Sequence, residues 1–476
     1  MGIALELARI KTAKANLKTA INAKGGTLVA ETLDGYASAV DALPSGGIVA
    51  GDIRVRFIDY DGTILQENFI NSGDSVVPPI DPLHIGLTFQ GWNYASSAFS
   101  IITSNLDVGA MYITDDGRTR IKIRLTTISG LAVPVFLNKS DGSTLTINWG
   151  DTTSDAITSS SNFSITHTYT TVGDYTIEMW ISSGTGTYGF GNGISTATVI
   201  GGAVQNYRDT LLCINIGSGV TIISAYAFYN CRALTSITIP NSVTIISAYV
   251  FYNCYTLASI TIPNSVTNIG ANVFYNCYTL ASITIPSSIW NIGVSTFTYC
   301  YTLTSIAIPS GVTNIEADAF NYCYTLASIT IPNSVTNIGA GAFYNCHALT
   351  SITIPSSVTN IGDNVFNNCY ALTSITIPSG VTNIGAGAFY NCRALTSITI
   401  PSGVTNIGAG AFYNCSSVKY YNFEGITVPT LSSITAFSGI FSITKIYVPD
   451  ASVNAYKAAT NWVTYANYIY PVSTKV

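Results

Sequence analysis

The chain has 476 residues, of which only 9% are charged, against about a quarter in ordinary proteins. Its net charge of −5 argues against nucleic acid as a partner. Threonine and serine interrupt every apolar stretch before it reaches the roughly 20 residues that span a bilayer, so the sequence predicts no membrane insertion.

Residues 1–47 carry a helical pattern with two interpretations. Five apolar residues follow the four-three spacing of coiled-coil a and d positions, namely Ile3, Leu7, Ile10, Leu17 and Ile21. The pair Gly25-Gly26 ends this helix, and a second short helix is predicted after Thr32. The segment forms either a helical hairpin that packs on itself or an attachment and oligomerisation module. In the second case we expect a homo-oligomer such as a trimer.

The same segment contains features that predict the localisation of the protein. From Leu17 the chain reads Leu-x-x-Ala-Ile-x-x-Lys-Gly, and Thr32, Leu33 and Tyr36 follow. This arrangement is similar to the N-terminal segments of many phage tail and fibre-like proteins, which implies contact with other virion tail proteins. Residues 1–23 also lack the apolar core of a secretion signal. We therefore expect the chain to stay inside the producing cell or to leave it in a particle released by lysis.

Residues 51–116 are predicted to form a small β module after a linker that ends at Gly47. Residues 53–59 alternate in polarity like a strand, and Asp61-Gly62 predicts a hairpin turn. Together with the later Phe89-x-Gly91-Trp92, this order resembles the β-grasp-like repeat of internalin-type and other bacterial surface proteins. The resemblance implies a spacer.

Residues 117–205 contain two short motifs that point to one domain type. The first is Trp149-Gly150-Asp151, and the second is a hairpin from His167 to Tyr175 that reads His-x-Tyr-x-x-x-Gly-x-Tyr. Together they resemble the polycystic-kidney-disease-type domain, which implies an immunoglobulin-like β-sandwich followed by a connector.

Charged residues in this segment have a functional and a structural interpretation. Three aspartates, Asp151, Asp155 and Asp174, either bind calcium or cap backbone amides in turns. We expect the capping role. We also expect His167 to be a packed, hydrogen-bonded side chain rather than a catalyst.

Residues 206–424 repeat with a fixed period. Nine cysteines lie 23 residues apart, namely Cys231, Cys254, Cys277, Cys300, Cys323, Cys346, Cys369, Cys392 and Cys415. The unit reads Phe-Tyr-Asn-Cys-x-x-Leu-x-Ser-Ile-x-Ile-Pro-x-x-Val-Thr-x-Ile-Gly. Such a period predicts a solenoid in which each coil buries its apolar side chains against its neighbours.

This repeat closely resembles the BspA-type leucine-rich repeats of bacterial surface proteins. Residues 425–476 resemble the end of the same family, because Ile446-Tyr447-Val448-Pro449 restates the repeat strand and a short helix is predicted up to Trp462. We interpret this region as a capping repeat. The predicted fold class is mainly β: a helical segment, a β-grasp-like module, an immunoglobulin-like sandwich and a leucine-rich solenoid.

The nine cysteines allow three interpretations. They are buried thiols, disulfides between coils, or metal ligands. An odd number in one phase cannot pair completely, and the sequence holds no Cys-x-x-Cys. We expect buried thiols, with neither metal nor cofactor.

We find no constellation of catalytic residues. The three histidines, His84, His167 and His347, lie in separate segments. Motifs for phosphate binding, serine hydrolysis and zinc proteolysis are absent from the sequence. We therefore expect a protein without enzymatic activity.

The residue after each repeat cysteine is the candidate ligand-binding position. It is a tyrosine in five coils, namely Tyr255, Tyr278, Tyr301, Tyr324 and Tyr370. His347 interrupts this row, and Arg232 and Arg393 stand near its ends. At coil spacing the row predicts an aromatic ladder, which either binds a sugar or protein or covers the edge of the coils.

These expectations combine into a functional hypothesis. We predict a phage tail fibre or receptor-binding protein that resides in the virion and binds a bacterial surface glycan or protein through its solenoid. The alternative is a bacterial cell-surface adhesin built from the same modules. A third hypothesis is a decoration or spacer protein without a ligand.

Overall fold

A computed structural model describes residues 53–59, 63–71, 73–80, 82, 87–92, 102, 106–114, 116–126, 132–139, 141–159, 162–184, 186–190, 210–441 and 444–475. The segment 1–47, with its five predicted heptad residues, lies outside these ranges and stays a prediction. The described residues are mainly β with few helices, which confirms the predicted fold class. Within these ranges we find no helix with the length and apolar character required to cross a bilayer.

Two antiparallel strand pairs precede the sandwich, and they fall in different compact units of the chain. In the first unit, β1 (Ile53–Ile58) pairs with β2 (Ile64–Ile70). The side chains of β1 alternate between buried and half-buried positions, as the sequence predicts. Strand β3 (Leu87–Trp92), in the second unit, pairs with β4 (Leu106–Thr114) through residues 110–114, which belong to the same unit, while residues 106–108 of β4 belong to the first. The β-grasp-like assignment stays a prediction.

Seven strands follow and form two sheets. They are β5 (Thr119–Leu125), β6 (Ala132–Lys139), β7 (Thr144–Asn148), β8 (Ser154–Ile157), β9 (Phe163–Thr168), β10 (Gly173–Ser183) and β11 (Tyr188–Phe190). Strand β10 lies between β5 and β7, with β8 beyond β7, whereas β6 lies between β9 and β11. Val135, Ile147 and Trp149 are fully buried in the core that these strands line. Two sheets around one core agree with a sandwich, and the polycystic-kidney-disease-type assignment stays a prediction.

Ten coils contribute two short strands each, one to each of two rows, and two further strands extend the first row alone. The first row is β12 (Leu211–Asn215), β14 (Ser236–Thr238), β16 (Ser259–Thr261), β18 (Ser282–Thr284), β20 (Ser305–Ala307), β22 (Ser328–Thr330), β24 (Ser351–Thr353), β26 (Ser374–Thr376), β28 (Ser397–Ile400), β30 (Tyr420–Phe423), β32 (Lys445–Val448) and β33 (Ile469–Pro471). The second row is β13 (Val220–Ile223), β15 (Ile245–Ile246), β17 (Asn268–Ile269), β19 (Asn291–Ile292), β21 (Asn314–Ile315), β23 (Asn337–Ile338), β25 (Asn360–Ile361), β27 (Asn383–Ile384), β29 (Asn406–Ile407) and β31 (Thr430–Leu431). Paired strands within a row run parallel, and equivalent residues 23 positions apart face each other, as Ile260 faces Ile283. The solenoid has about 11 coils of about 23 residues.

The apolar positions of the repeat point into each coil. Six side chains of one coil are buried: Leu257, Ile260, Ile262, Val266, Ile269 and Phe274. At roughly 1.5–3 kcal/mol for each fully buried side chain, these six provide the main driving force for stacking. The proline after each strand starts a turn, in which the Pro263 carbonyl accepts the amide of Val266 at 3.0 Å.

The two sandwich sheets continue into the two solenoid rows. Strand β5 pairs antiparallel with β12, where Ile121 faces Ile214, and β11 pairs parallel with β13. One sheet therefore runs from β8 through β5 to β18, and the other runs from β9 through β11 to β17. Because an exposed first coil would leave open strand edges and an open core, the sandwich strands act as the N-terminal cap. The predicted boundary between residues 205 and 206 divides segments that share their sheets.

The residue before each repeat cysteine adopts the left-handed conformation, with φ between 56° and 62° in all nine coils. Asparagine, which tolerates this conformation, occupies seven of these positions, while Tyr299 and Tyr322 occupy the other two. The asparagine carboxamides also bond between coils, because Asn391 Nδ2 donates to Asn368 Oδ1 at 2.8 Å and Asn414 donates to Asn391 at 2.7 Å. Asparagine therefore serves both the turn and the stacking.

The variant Asn391→Ala tests this double role. We expect a loss of about 2 kcal/mol of unfolding free energy, because alanine gives up both amide contacts and is strained at positive φ. The matched variant Asn391→Gly loses the same contacts without the strain, so about 1 kcal/mol is expected. Urea unfolding measures both values. Equal losses in the two variants would show that the backbone conformation does not contribute.

The C-terminal end of the solenoid is covered by aromatic side chains. Helix α1 (Val453–Ala458), where a short helix is predicted, precedes a 3-10 helix over Trp462–Tyr468. Tyr456 and Trp462 are fully buried, and both lie against the ring of Phe423 in the last coils. The Trp462 indole donates to the Pro429 carbonyl at 2.7 Å, which satisfies its buried N–H.

Candidate functional site

The outward side chains of the first strand row form a flat surface of hydroxyl groups, which we call the strand face. Its serines and threonines are exposed from β18 to β26. A shallow groove of about 320 Å³ lies on this face and is lined by Ser328, Ile329, Thr330, Ser351, Ile352, Thr353, Ser374, Ile375 and Thr376. The groove carries no charge, so it offers the hydroxyls of its serines and threonines and some apolar contact from its isoleucines.

The second surface is the row of residues that follow the cysteines, which we call the tyrosine edge. It comprises Tyr255, Tyr278, Tyr301, Tyr324, His347 and Tyr370. Neighbouring tyrosine rings stack nearly parallel, with centroid distances of 4.7 Å, 4.9 Å and 5.0 Å along the first four. His347 continues the row at 4.6 Å from both of its neighbours. All the predicted candidate residues thus lie together in one ladder.

The stacking of the rings determines which parts of the tyrosine edge are accessible to a ligand. Tyr278, Tyr301 and Tyr324 each have a ring on both sides, so their faces are covered. All six residues are half-buried, and the ring edges and phenol hydroxyls remain for contact. The edge therefore suits hydrogen bonding and edge contacts rather than the stacking of sugar rings on aromatic faces.

Charge is confined to the two ends of the tyrosine edge. The Arg232 guanidinium lies 5.3 Å from the Tyr255 ring centroid, and that of Arg393 lies 5.0 Å from Tyr370. Burial lowers the pKa of His347, so this imidazole is neutral at pH 7. Burial also raises the pKa of Tyr301. The middle of the edge is uncharged.

Sequence reasoning missed a second tyrosine row beside the first. Tyr229, Tyr252 and Tyr275 stack at 5.0 Å and 4.5 Å, and Tyr299, Tyr322 and Tyr344 continue the row. The rows touch where Tyr299 lies 5.9 Å from Tyr301. For Tyr229, Tyr252, Tyr275 and Tyr344 the signal was the tyrosine of the Phe-Tyr-Asn-Cys unit itself, whereas Tyr299 and Tyr322 stand one position later, in place of its asparagine. Trp290, whose side chain is 57% exposed in place of the usual threonine, was also missed.

All ten cysteines are free and buried, which agrees with the predicted thiols and not with disulfides. Each ladder thiol after the first donates to the carbonyl of the phenylalanine 26 residues earlier, as Cys323 Sγ does to Phe297 O at 3.2 Å. Among the described residues, no three histidine, cysteine or carboxylate side chains are grouped as a metal site requires.

The two motifs of the sandwich meet in the structure. His167 stacks on Trp149 at 4.8 Å, and its Nε2 lies 2.7 Å from Asp151 Oδ2. The three aspartates considered for calcium have separate partners: Asp155 accepts from the Trp149 indole, Asp174 accepts two bonds from Arg124, and Asp151 also accepts from Thr153. The carboxylates thus bind protein donors. His84 lies outside the described residues, and the absence of enzymatic activity stays a prediction.

Comparison with solved structures finds several leucine-rich repeat proteins. One from Bacteroides ovatus is 25% identical over 54% of this chain and 82% of its own, with a TM-score of 0.34. A leucine rich cell surface protein from Faecalibacterium prausnitzii is 30% identical over 47% of this chain and 80% of its own, with a TM-score of 0.27. The leucine-rich repeat protein of T. pallidum is 30% identical over 38% of this chain and 72% of its own, with a TM-score of 0.28.

No curated protein matches the chain. The model of the BspA type leucine rich repeat region, in contrast, matches residues 221–350 and 336–459, which together make about half of the chain. These residues are the coils whose cysteine, phenylalanine and asparagine ladders are described above. The chain therefore belongs to the BspA-type leucine-rich repeat family.

Proposed function

We propose that this protein is an adhesin-like, non-catalytic binding protein displayed on a bacterial surface. In this proposal it recognises a cell-surface glycan or protein through the solenoid. The observation that carries the proposal is the tyrosine edge, where six half-buried rings stand in register on a rigid core. Aromatic side chains fixed by their neighbours lose little conformational entropy on binding, which favours affinity.

Family membership supports the surface location, because BspA-type repeats are typical of bacterial surface proteins. The predicted tail-fibre role depends on residues 1–47, which lie outside the described residues, and the family match gives it no support. We therefore rank the bacterial-surface alternative above the virion location. Antibody labelling of intact producing cells and of purified particles separates the two: label on cells alone supports the adhesin, and label on particles alone would favour the tail fibre.

Replacing Tyr278, Tyr301 and Tyr324 together by phenylalanine is expected to weaken cell binding by about tenfold or more, because the phenol hydroxyls are the groups left for hydrogen bonding. Phenylalanine keeps the stacked rings, so we expect the melting temperature to change by less than about 2 °C. Binding of the fluorescent full chain to a panel of bacterial and epithelial cells measures the effect.

A control variant removes three hydroxyls from the other surface, with Thr330, Thr353 and Thr376 replaced by valine on the strand face. We expect it to bind like the wild type. If this variant loses binding while the phenylalanine variant keeps it, the receptor binds the strand face instead. Absence of binding by the wild-type chain to every cell type would favour a spacer or decoration protein.

A further inference from the structure

The strand face changes character in its last three strands. Along one outward row Ser397 faces Tyr420, which faces Lys445. Along the other, Thr399 faces Asn422, followed by Tyr447, which its neighbours bury, and by Tyr470. Small hydroxyl side chains are thus replaced by large aromatic and cationic ones. Copying of the repeat cannot produce this change, because these residues depart from the repeat.

The lysines in this region lie over the tyrosine rings. Lys475 Nζ is 4.2 Å from the centroid of Tyr420 and 5.8 Å from that of Tyr447. Lys445 Nζ is 5.4 Å from the centroid of Tyr470, a ring that is 38% exposed. Cation–π contacts of this kind hold an ammonium in place while its remaining N–H groups face the solvent. Both lysines are exposed.

This end of the strand face also holds most of the lysines of the solenoid, together with the exposed carboxylates of Glu424 and Asp450. The sequence contains neither lysine nor arginine between Arg232 and Arg393, yet four lysines follow Arg393. Three of them, Lys419, Lys445 and Lys475, lie on or beside the last strands and are exposed. Among the described residues, no carboxylate forms an ion pair with Lys445 or Lys475. The nearby Asp450 carboxylate accepts the Ser473 amide at 3.1 Å.

We propose that these last three strands form a binding site for an acidic polysaccharide, one whose sugars carry carboxylate or sulfate groups. The ammonium groups of Lys445 and Lys475 pair with the acid groups, and the exposed part of Tyr470 packs against a sugar ring. Ser397 and Thr399, in register beside them, extend the site with hydroxyl groups that can hydrogen-bond to the sugar. We favour a saccharide over a membrane or nucleic acid because the cations are few and the neighbouring surface is made of hydroxyls and amides.

This site is separate from the tyrosine edge, and it does not depend on the proposed adhesin function. The residues of the tyrosine edge follow the repeat cysteines up to Tyr370, whereas the residues of this site lie on strands β28, β30, β32 and β33 and at Lys475 behind them. Variants of one surface leave the other intact, so failure of either proposal is recognised separately.

The test measures binding of the full chain to polygalacturonate, dextran sulfate and neutral dextran at about 0.15 M salt. We expect binding to at least one of the two acidic polymers and none to dextran. Replacing both Lys445 and Lys475 by glutamine should weaken that binding by about tenfold or more, the loss that follows from removing charged hydrogen-bond donors. Circular dichroism confirms that the variant is folded.

Three controls make the result decisive. The single variant Lys457→Gln removes one charge from helix α1, outside the strand face, and should bind the acidic polymer as the wild type does, whereas Lys475→Gln should not. The phenylalanine variant of the tyrosine edge should also bind normally. The proposal is overturned if acidic and neutral polymers bind alike, if Lys457→Gln loses as much affinity as Lys475→Gln, or if vesicles rich in phosphatidylserine bind as well as the polymers.

Discussion

Raising the pH from about 8 to about 11 is expected to unfold the solenoid, because its nine ladder thiols resist ionisation only while they are buried. In an unfolded chain a thiol ionises near pH 8.5. Burial raises the pKa of Cys231 and Cys415 to about 12 in the folded protein. Burial also raises the pKa of Cys323 and of the other ladder thiols between these two.

The sign of the pH dependence follows from these raised values. Above about pH 8.5 the unfolded chain loses thiol protons that the folded chain keeps, so the free energy of unfolding falls as the pH rises. Each thiol contributes up to roughly 1.4 kcal/mol per pH unit, and nine together approach about 12 kcal/mol per pH unit. At this slope, the free energy of unfolding lost over one to two pH units exceeds the entire stability of an ordinary domain. Below about pH 8 the thiols are protonated in both states and stability does not depend on them.

Circular dichroism at stepwise increasing pH, recorded with the ultraviolet absorbance of thiolate under reducing conditions, measures this transition. We expect both signals to change together and steeply. A variant with Cys300, Cys323 and Cys346 replaced by alanine releases about a third fewer protons on unfolding, and its transition should be correspondingly shallower. Thiolate that appears while the β signal is unchanged would show that the thiols titrate inside the folded protein.

Replacing Phe320 by alanine is expected to cost about 3–5 kcal/mol of unfolding free energy. Its ring is fully buried and stacks on Phe297 at 5.4 Å and on Phe343 at 5.5 Å, in the middle of a continuous phenylalanine ladder. Alanine leaves a cavity between two coils, and coils are held only by their nearest neighbours. We therefore also expect the solenoid to unfold in two steps, one on either side of Phe320.

Urea unfolding gives the free energy, and hydrogen exchange reports whether the coils before and after residue 320 open separately. The variant Phe320→Leu nearly preserves volume and should lose less than about 1.5 kcal/mol. The exposed Thr330→Ala, on the strand face, should change the unfolding free energy by less than about 0.5 kcal/mol. If Phe320→Ala also lost under about 1 kcal/mol, the phenylalanine ladder would not hold the coils together.

Repetition made much of this molecule predictable. In a solenoid the neighbour of a residue in space is its equivalent 23 positions away, so one repeat unit predicts the core, the buried cysteines and the row from Tyr255 to Tyr370. The ladder of Asn368, Asn391 and Asn414 follows from the same rule, although the need for a left-handed residue before each cysteine was not anticipated.

The period of the sequence by itself determined the solenoid and the alignment of its side chains, because equivalent residues must stack when identical coils repeat. Only the tertiary structure decided what happens where the repetition ends. The pairing of β5 with β12, and the position of Lys475 over Tyr420, join segments that share no period. The tertiary structure also decided that the stacked tyrosines cover each other's faces, because ring orientation depends on how closely the coils pack. Such contacts depend on turn geometry and packing between unlike segments, and a repeat pattern carries no information on either.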